Sequence, residues 1–177
     1  MTMKEDMMAK LFIPLLWFLL SVEGLNDRLS VQLAGKPLGG REQEVIDATN
    51  QLMLAICNAD YELYQNVTDP SITSFEPEAV GQLVEGMSFH RFLFENDLPR
   101  LGGLVHIHLL NTHVRMLGED AACMSYVRLM QYLDPDIMQS RTLKSEETRI
   151  WQHRNGKWVN VHFHRSGSPL VPSKGRL

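Results

Sequence analysis

Several signatures are missing from this chain of 177 residues. Its two cysteines, Cys57 and Cys123, are too few for a disulfide framework and lack the paired spacing of a zinc site. No Lys/Arg run is long enough to track a phosphate backbone, and the net charge of -4 argues against a nucleic-acid partner. The chain holds no G-x-S-x-G elbow, no Gly-rich phosphate loop, no dinucleotide fingerprint and no H-E-x-x-H pair. Serine-hydrolase, nucleotide-dependent and zinc-protease chemistry are therefore not indicated. No internal repeat points to a solenoid.

What is present suits one folded domain. The chain is 44% hydrophobic and 21% charged, a globular balance. Residues 1–24 stand apart. Lys4 and Lys10 precede the apolar run 11–22, which is shorter than the ~20 residues of a spanning helix and is interrupted by Pro14. This segment reads as a secretory signal peptide or as a membrane anchor. Residues 25–40, with Gly35, Pro37, Gly39 and Gly40, read as a linker. The domain is expected over 41–167, and 168–177 as a tail. Asn66-Val67-Thr68 is a glycosylation sequon that matters only in a secretory route.

Hydrophobic periodicity orders the domain. Val45, Ala48, Leu52, Ala55 and Ile56 recur at helical spacing, so 41–60 is a long helix, and 61–67 a short second one. The stretch from Pro70 to Gly86 reads as loop-rich with one or two short strands. Residues 88–97 form another short helix. After Gly103 the period becomes two, giving a strand with a break near Asn111, then strands over 121–133, 145–154 and 157–167. Asn155-Gly156 is a hairpin turn. Helices followed by antiparallel strands predict an α+β fold, with the long helix packed on a curved sheet.

Three arginines interrupt these strands. By alternation Arg128 shares an inward face with Met124, Tyr126 and Met130, and Arg165 shares one with Val159, Val161 and Phe163. Arg149 lies in the neighbouring strand. A guanidinium among apolar side chains needs a partner, because it stays charged and its desolvation is costly. Glu147, Glu85 and Glu95 are the candidate partners. The open alternatives are internal salt bridges or an anion pocket, since the planar donors of arginine suit a carboxylate. The H-x-H pairs His106/His108 and His162/His164 lack the companions of a metal site. A carboxylate–histidine pair such as Asp60 with His90 is the remaining catalytic pairing that the sequence offers.

The run FEPEAVGQLVEGMSFHRFLFEN over 75–96 closely resembles the signature of the calcium/calmodulin-dependent protein kinase II association, or hub, domain. GEDAACMSYVRLMQYLD, SEETRIWQHRNGKWVNVHFHRSG and, more loosely, REQEVIDATNQLMLAICNADYELY agree with it in order. The resemblance covers about 41–170. It implies an NTF2-like, SnoaL-like cone whose copies pair and assemble into a ring, co-assembling with kinase II subunits. It also implies a ligand pocket in which His90, Arg128, Arg149 and Arg165 meet a small carboxylate or acidic peptide. Leu93 stands where the family usually has tyrosine, and the loop DPDIMQSRT is one residue longer than the common form. With no H-R-D or D-F-G run and no basic calmodulin-binding helix, a stand-alone, non-enzymatic scaffold is expected. No catalytic residue, metal, cofactor or nucleic acid belongs to this reading. The scaffold would be cytoplasmic or bound to an internal membrane through 11–22; a cleaved 1–24 would make the protein secretory. The alternative is an NTF2-like carboxylate-binding protein or enzyme built on His90 and the arginines.

Overall fold

The computed structural model describes residues 28–33, 39–101, 105–167 and 169. Strand β1 (Leu29–Leu33) precedes helix α1 (Gly40–Asn58) and helix α2 (Tyr61–Asn66). Strand β2 (Thr68–Phe75), a 3-10 turn (Pro77–Ala79), strand β3 (Val84–Glu85), helix α3 (Ser88–Asn96) and a second 3-10 turn (Leu98–Leu101) follow. Four long strands complete the domain: β4 (Val105–Met116), β5 (Ala121–Asp134), β6 (Gln139–Arg154) and β7 (Lys157–Gly167). Among the described residues no helix is long and apolar enough to cross a membrane. The apolar run 11–22 and most of the tail lie outside the described residues.

Helix α1 begins where Glu42 accepts a 2.7 Å hydrogen bond from the Gly39 N–H, an acid well placed at the positive helix end. Its stripe of Val45, Leu52, Met53, Ala55 and Ile56 is buried against the sheet, each large side chain contributing roughly 1.5–3 kcal/mol. Ala59 closes the helix in the left-handed region, with φ 51°. Asp60 then caps α2 by accepting from the Leu63 N–H at 2.9 Å.

The sheet runs β1-β4-β5-β6-β7-β2-β3. β4 through β7 form an antiparallel meander, β3 pairs antiparallel with β2, and β1 and β2 join β4 and β7 in parallel. The linker expected over 25–40 is thus corrected in part: Leu29–Leu33 is a sheet strand, its Leu29 opposite Ile107. Alternating apolar residues carry it, and five residues are too few to stand out from a Gly/Pro-rich stretch. Pro70–Gly86, read as loop-rich with one or two short strands, holds most of β2, a turn and the two-residue β3. β2 occupies eight residues, and the N–H that Pro70 lacks falls in an irregularity where the register slips between Thr68 and Thr73.

Other irregularities shape the sheet. Asn111 has φ 53° and the register shifts between Leu110 and His113, so the expected strand break is a bulge within one continuous strand. A second shift lies opposite Ile150 and Trp151, where β7 gains one residue, Val161. Asn155 and Gly156 both have positive φ, 51° and 77°, as a type I′ hairpin requires.

The two sheet faces differ. Inward side chains of β5, from Ala122 through Met124, Tyr126 and Met130 to Tyr132, are buried beneath the helices. The outward row, including Leu110, Cys123, Val127, Leu129 and Ile150, stays half-buried.

Candidate functional site

The four residues singled out in the sequence line one cavity. His90 comes from α3, Arg128 from β5, Arg149 from β6 and Arg165 from β7, and Tyr64, Glu76, Leu93, Phe94 and Phe163 complete its wall. Each of the four is at most 3% exposed. The space between them is small, about 30 Å³, on the scale of a water molecule rather than of an organic ligand. A wider, open depression of about 390 Å³ lies over the outward sheet face, with Asn111, Ser125, Val127, Glu146, Thr148 and His164 at its rim.

Every guanidinium in the cavity already faces a carboxylate. Glu147 on β6 sits at the centre. Its Oε2 accepts from Tyr126 Oη at 2.6 Å and from Arg149 Nη2 at 2.9 Å. Its Oε1 lies 3.0 Å from Arg128 Nε, within ion-pair reach but off the line of a hydrogen bond. Arg149 also donates to Tyr126 Oη at 2.7 Å and to Asn160 Oδ1 at 2.8 Å, and its guanidinium stacks 4.4 Å from the Phe163 ring. Arg165 reaches Glu76 at 3.3 Å and also pairs with Glu78. His90 Nε2 lies 3.1 Å from Glu76 Oε1 and 3.3 Å from Ser74 Oγ, while its Nδ1 is buried without a partner.

These contacts set the protonation states. Burial alone would raise the Glu147 carboxyl, but Arg128, Arg149 and Arg165 outweigh it and hold the acid down to about 2. Burial also opposes the Glu76 charge. There the hydrogen bond and charge of His90, then Arg165 and Ser74, prevail and keep the carboxyl below its usual range. Burial pushes the Tyr126 phenol up, so it remains a donor to Glu147. Three guanidiniums are thus met by the carboxylates of Glu76, Glu78 and Glu147 within one site.

Sequence reading found Glu147 but missed Glu76, Glu78, Ser74, Tyr126 and Asn160. Glu85 instead lies exposed on β3, and Glu95 bonds Arg91 at 2.8 Å on the surface of α3. Asp60 caps α2 rather than meeting His90. Strict alternation placed Val161 inward; the β7 bulge leaves it half-buried and turns Asn160 fully inward instead. Leu93, where a tyrosine was the family expectation, packs on the cavity with no hydroxyl to offer. Among the described residues no group of three or more His, Cys, Asp or Glu side chains is arranged to hold a metal ion. His108 and His162 are instead engaged by Ser30 and Thr73 at 2.5 and 2.7 Å.

Comparison with known proteins places this architecture. The family profile of the calcium/calmodulin dependent protein kinase II association domain matches residues 41–169. The delta subunit of calcium/calmodulin-dependent protein kinase type II from Oryctolagus cuniculus is 58% identical over 134 residues, 76% of this chain and 25% of that protein. This chain thus aligns with about a quarter of that relative's length. The solved association domain of C. elegans CaMKII is 43% identical, with a TM-score of 0.63 over 71% of this chain and 95% of that one. An NTF2-like superfamily protein from Salmonella enterica shares the fold at 21% identity, with a TM-score of 0.58 over 76% of this chain and 96% of its own. The fold is α+β and NTF2-like, the long helix packed on a curved sheet.

Proposed function

Because this chain belongs to the calcium/calmodulin-dependent protein kinase II association-domain family, we propose that it is a non-catalytic scaffold that joins copies of itself into a closed ring and admits kinase subunits bearing the same domain. One observation supports this most directly: the outward face of the β4–β7 meander. Leu110, Cys123, Val127, Leu129 and Ile150 lie there half-buried, with no described helix across them. An apolar band rimmed by His108, Arg115, Glu146 and Lys144 suits a partner of the same kind. Symmetric pairing of such faces gives a dimer, and a second, heterologous contact between dimers closes the ring. Held in one ring, attached domains meet at high effective concentration without any chemistry by the hub.

The test is the solution mass of residues 25–177 by light scattering after size exclusion, over a range of concentrations. A multi-subunit particle that persists on dilution, and that disperses with Val127→Glu, is the expected outcome. A monomer at all concentrations refutes the scaffold. Co-expression with a full-length family kinase then tests mixing, and failure to co-purify at every ratio removes that part.

A second reading concerns the cavity. Its warrant is the convergence of His90, Arg128, Arg149 and Arg165 on one space, with the His90 Nδ1 unpartnered. Here a small carboxylate enters when the cavity widens. Saturable binding lost in Arg128→Ala with Arg149→Lys supports it; turnover dependent on His90 would make the protein an enzyme.

A further inference from the structure

We propose that residues 76–83 form a lid held shut by the Glu78–Arg165 ion pair, in which the Glu78 carboxylate occupies the place an incoming carboxylate would take. The inference rests on the carboxylate reading of the cavity, and adds the part of the chain that controls entry.

The lid joins β2 to β3 and carries Glu76 and Glu78 on either side of Pro77. Glu76 belongs to the interior: it is fully buried and bound by Ser74, His90 and Arg165. Glu78 is different. Its side chain is 12% exposed while the Arg165 side chain it meets is 2% exposed. The pair therefore spans the boundary between cavity and solvent. No residue from 77 to 83 is buried, and 80 to 83 are all exposed.

The backbone beyond Glu78 is equally suited to movement. Val80 is 85% exposed with φ 52°, a left-handed conformation that a β-branched residue adopts only under strain. Gly81 follows at φ 84° with nothing near its absent side chain. Gly86, at φ 74°, ends the segment where its N–H reaches Ile72 O at 2.7 Å. Backbone bonds from Ala79 N–H to Glu76 O at 3.0 Å, Val80 N–H to Pro77 O at 3.2 Å and Gln82 N–H to Ala79 O at 3.0 Å tie the turn to itself. Segments so poor in buried contacts open at the low end of local stability.

The charge arithmetic explains why such a lid would be needed. Three guanidiniums and three carboxylates share the closed site. A monocarboxylate entering with every glutamate in place would have to share Arg165 with Glu76 and Glu78 and meet their negative charges at close range. If Glu78 swings out to water as the ligand arrives, Arg165 exchanges one carboxylate for another and the balance is kept. Glu78 then acts as a tethered competitor, and it is the one acid of the three with a route to solvent.

The experiment uses the full chain and reads two quantities in parallel. Hydrogen–deuterium exchange follows residues 76–83, with the centre of β5 as an internal check on global folding. Titration with propionate, against neutral propionamide, follows the cavity. In Glu78→Gln we expect exchange over 76–83 to rise about tenfold with β5 unchanged, and propionate, not propionamide, to bind about tenfold tighter. Glu78→Asp, which keeps the charge but shortens the reach, should fall between. Glu95→Gln, on the exposed face of α3, should change neither. Faster exchange with no propionate binding in any protein leaves the latch standing and removes the carboxylate reading. Unchanged exchange in both Glu78→Gln and Glu78→Asp overturns the latch, whether or not propionate binds.

Discussion

Replacing Glu147 with glutamine should remove about 3–5 kcal/mol of folding stability, because it strips the shared counter-charge from two fully buried arginines. The figure can be reached in two ways. Losing one member of a buried ion pair typically costs about 3–5 kcal/mol, most of it the penalty of the stranded charge. Separately, the Glu147 carboxyl is lowered from 4.5 to about 2, and at about 1.4 kcal/mol per unit this is about 3 kcal/mol. Glutamine keeps the volume and an acceptor for the Tyr126 hydroxyl, now 2.6 Å away, so packing loss adds little. The assay is urea unfolding at one fixed protein concentration, since self-association adds to apparent stability. With a slope near 2 kcal/mol per molar, the midpoint should fall by about 1.5–2.5 M. The cycle is completed by Arg128→Met alone and with Glu147→Gln. The double variant should lose about 1–3 kcal/mol less than the sum of the singles. A single-variant cost below about 1 kcal/mol, or strict additivity, would show that the carboxylate does not hold the arginines together.

Acid should undo the same network. The carboxyls of Glu147 and Glu76 are both depressed in the fold. Their contribution is present above the unfolded value of 4.5 and disappears as pH falls toward about 2; a melting temperature that stays flat from pH 5 to pH 3 would refute this. Gly167→Ala should cost about 1–3 kcal/mol, because φ is 93° and the new methyl would sit 2.6 Å from Lys144 O. Gly40→Ala, with open space at a helix start, should be neutral or stabilising by about 0.4–1 kcal/mol; thermal melts of the pair decide the sign of each. Burial raises the Cys57 thiol to about 11, so it should resist a thiol reagent at pH 8 until urea unfolds the chain, and rapid native modification at Cys57 would contradict its placement.

The parts of this architecture that were legible in the sequence are those governed by a single period. Helix α1 and strands β5 to β7 follow their apolar repeats, and the Asn155-Gly156 hairpin follows turn chemistry. What escaped was set by departures from a period. Asn160 faces inward only because a bulge in β7 reverses the alternation at Val161, and nothing local distinguishes it from a surface asparagine. Glu76 and Glu78 lie in a Pro-flanked turn that reads as solvent-facing. They become partners of Arg165, Glu76 buried and Glu78 half-buried, only when β2 is laid parallel to β7. Glu147, by contrast, was readable as a partner because it shares a strand face with Arg149. Strand β1 was hidden by its brevity and by the glycines and proline after it.

That short strand bears on where the folded unit ends. The family match begins at residue 41, yet Leu29–Leu33 lies along β4 and the Arg28 carbonyl accepts from the Ile107 N–H at 2.7 Å. A protein trimmed to the matched residues would leave one flank of β4 with unpaired amides and carbonyls, an invitation to intermolecular strand addition. Its aggregation would then report a missing neighbour rather than a weak core. A folded unit that keeps this pairing includes residue 28.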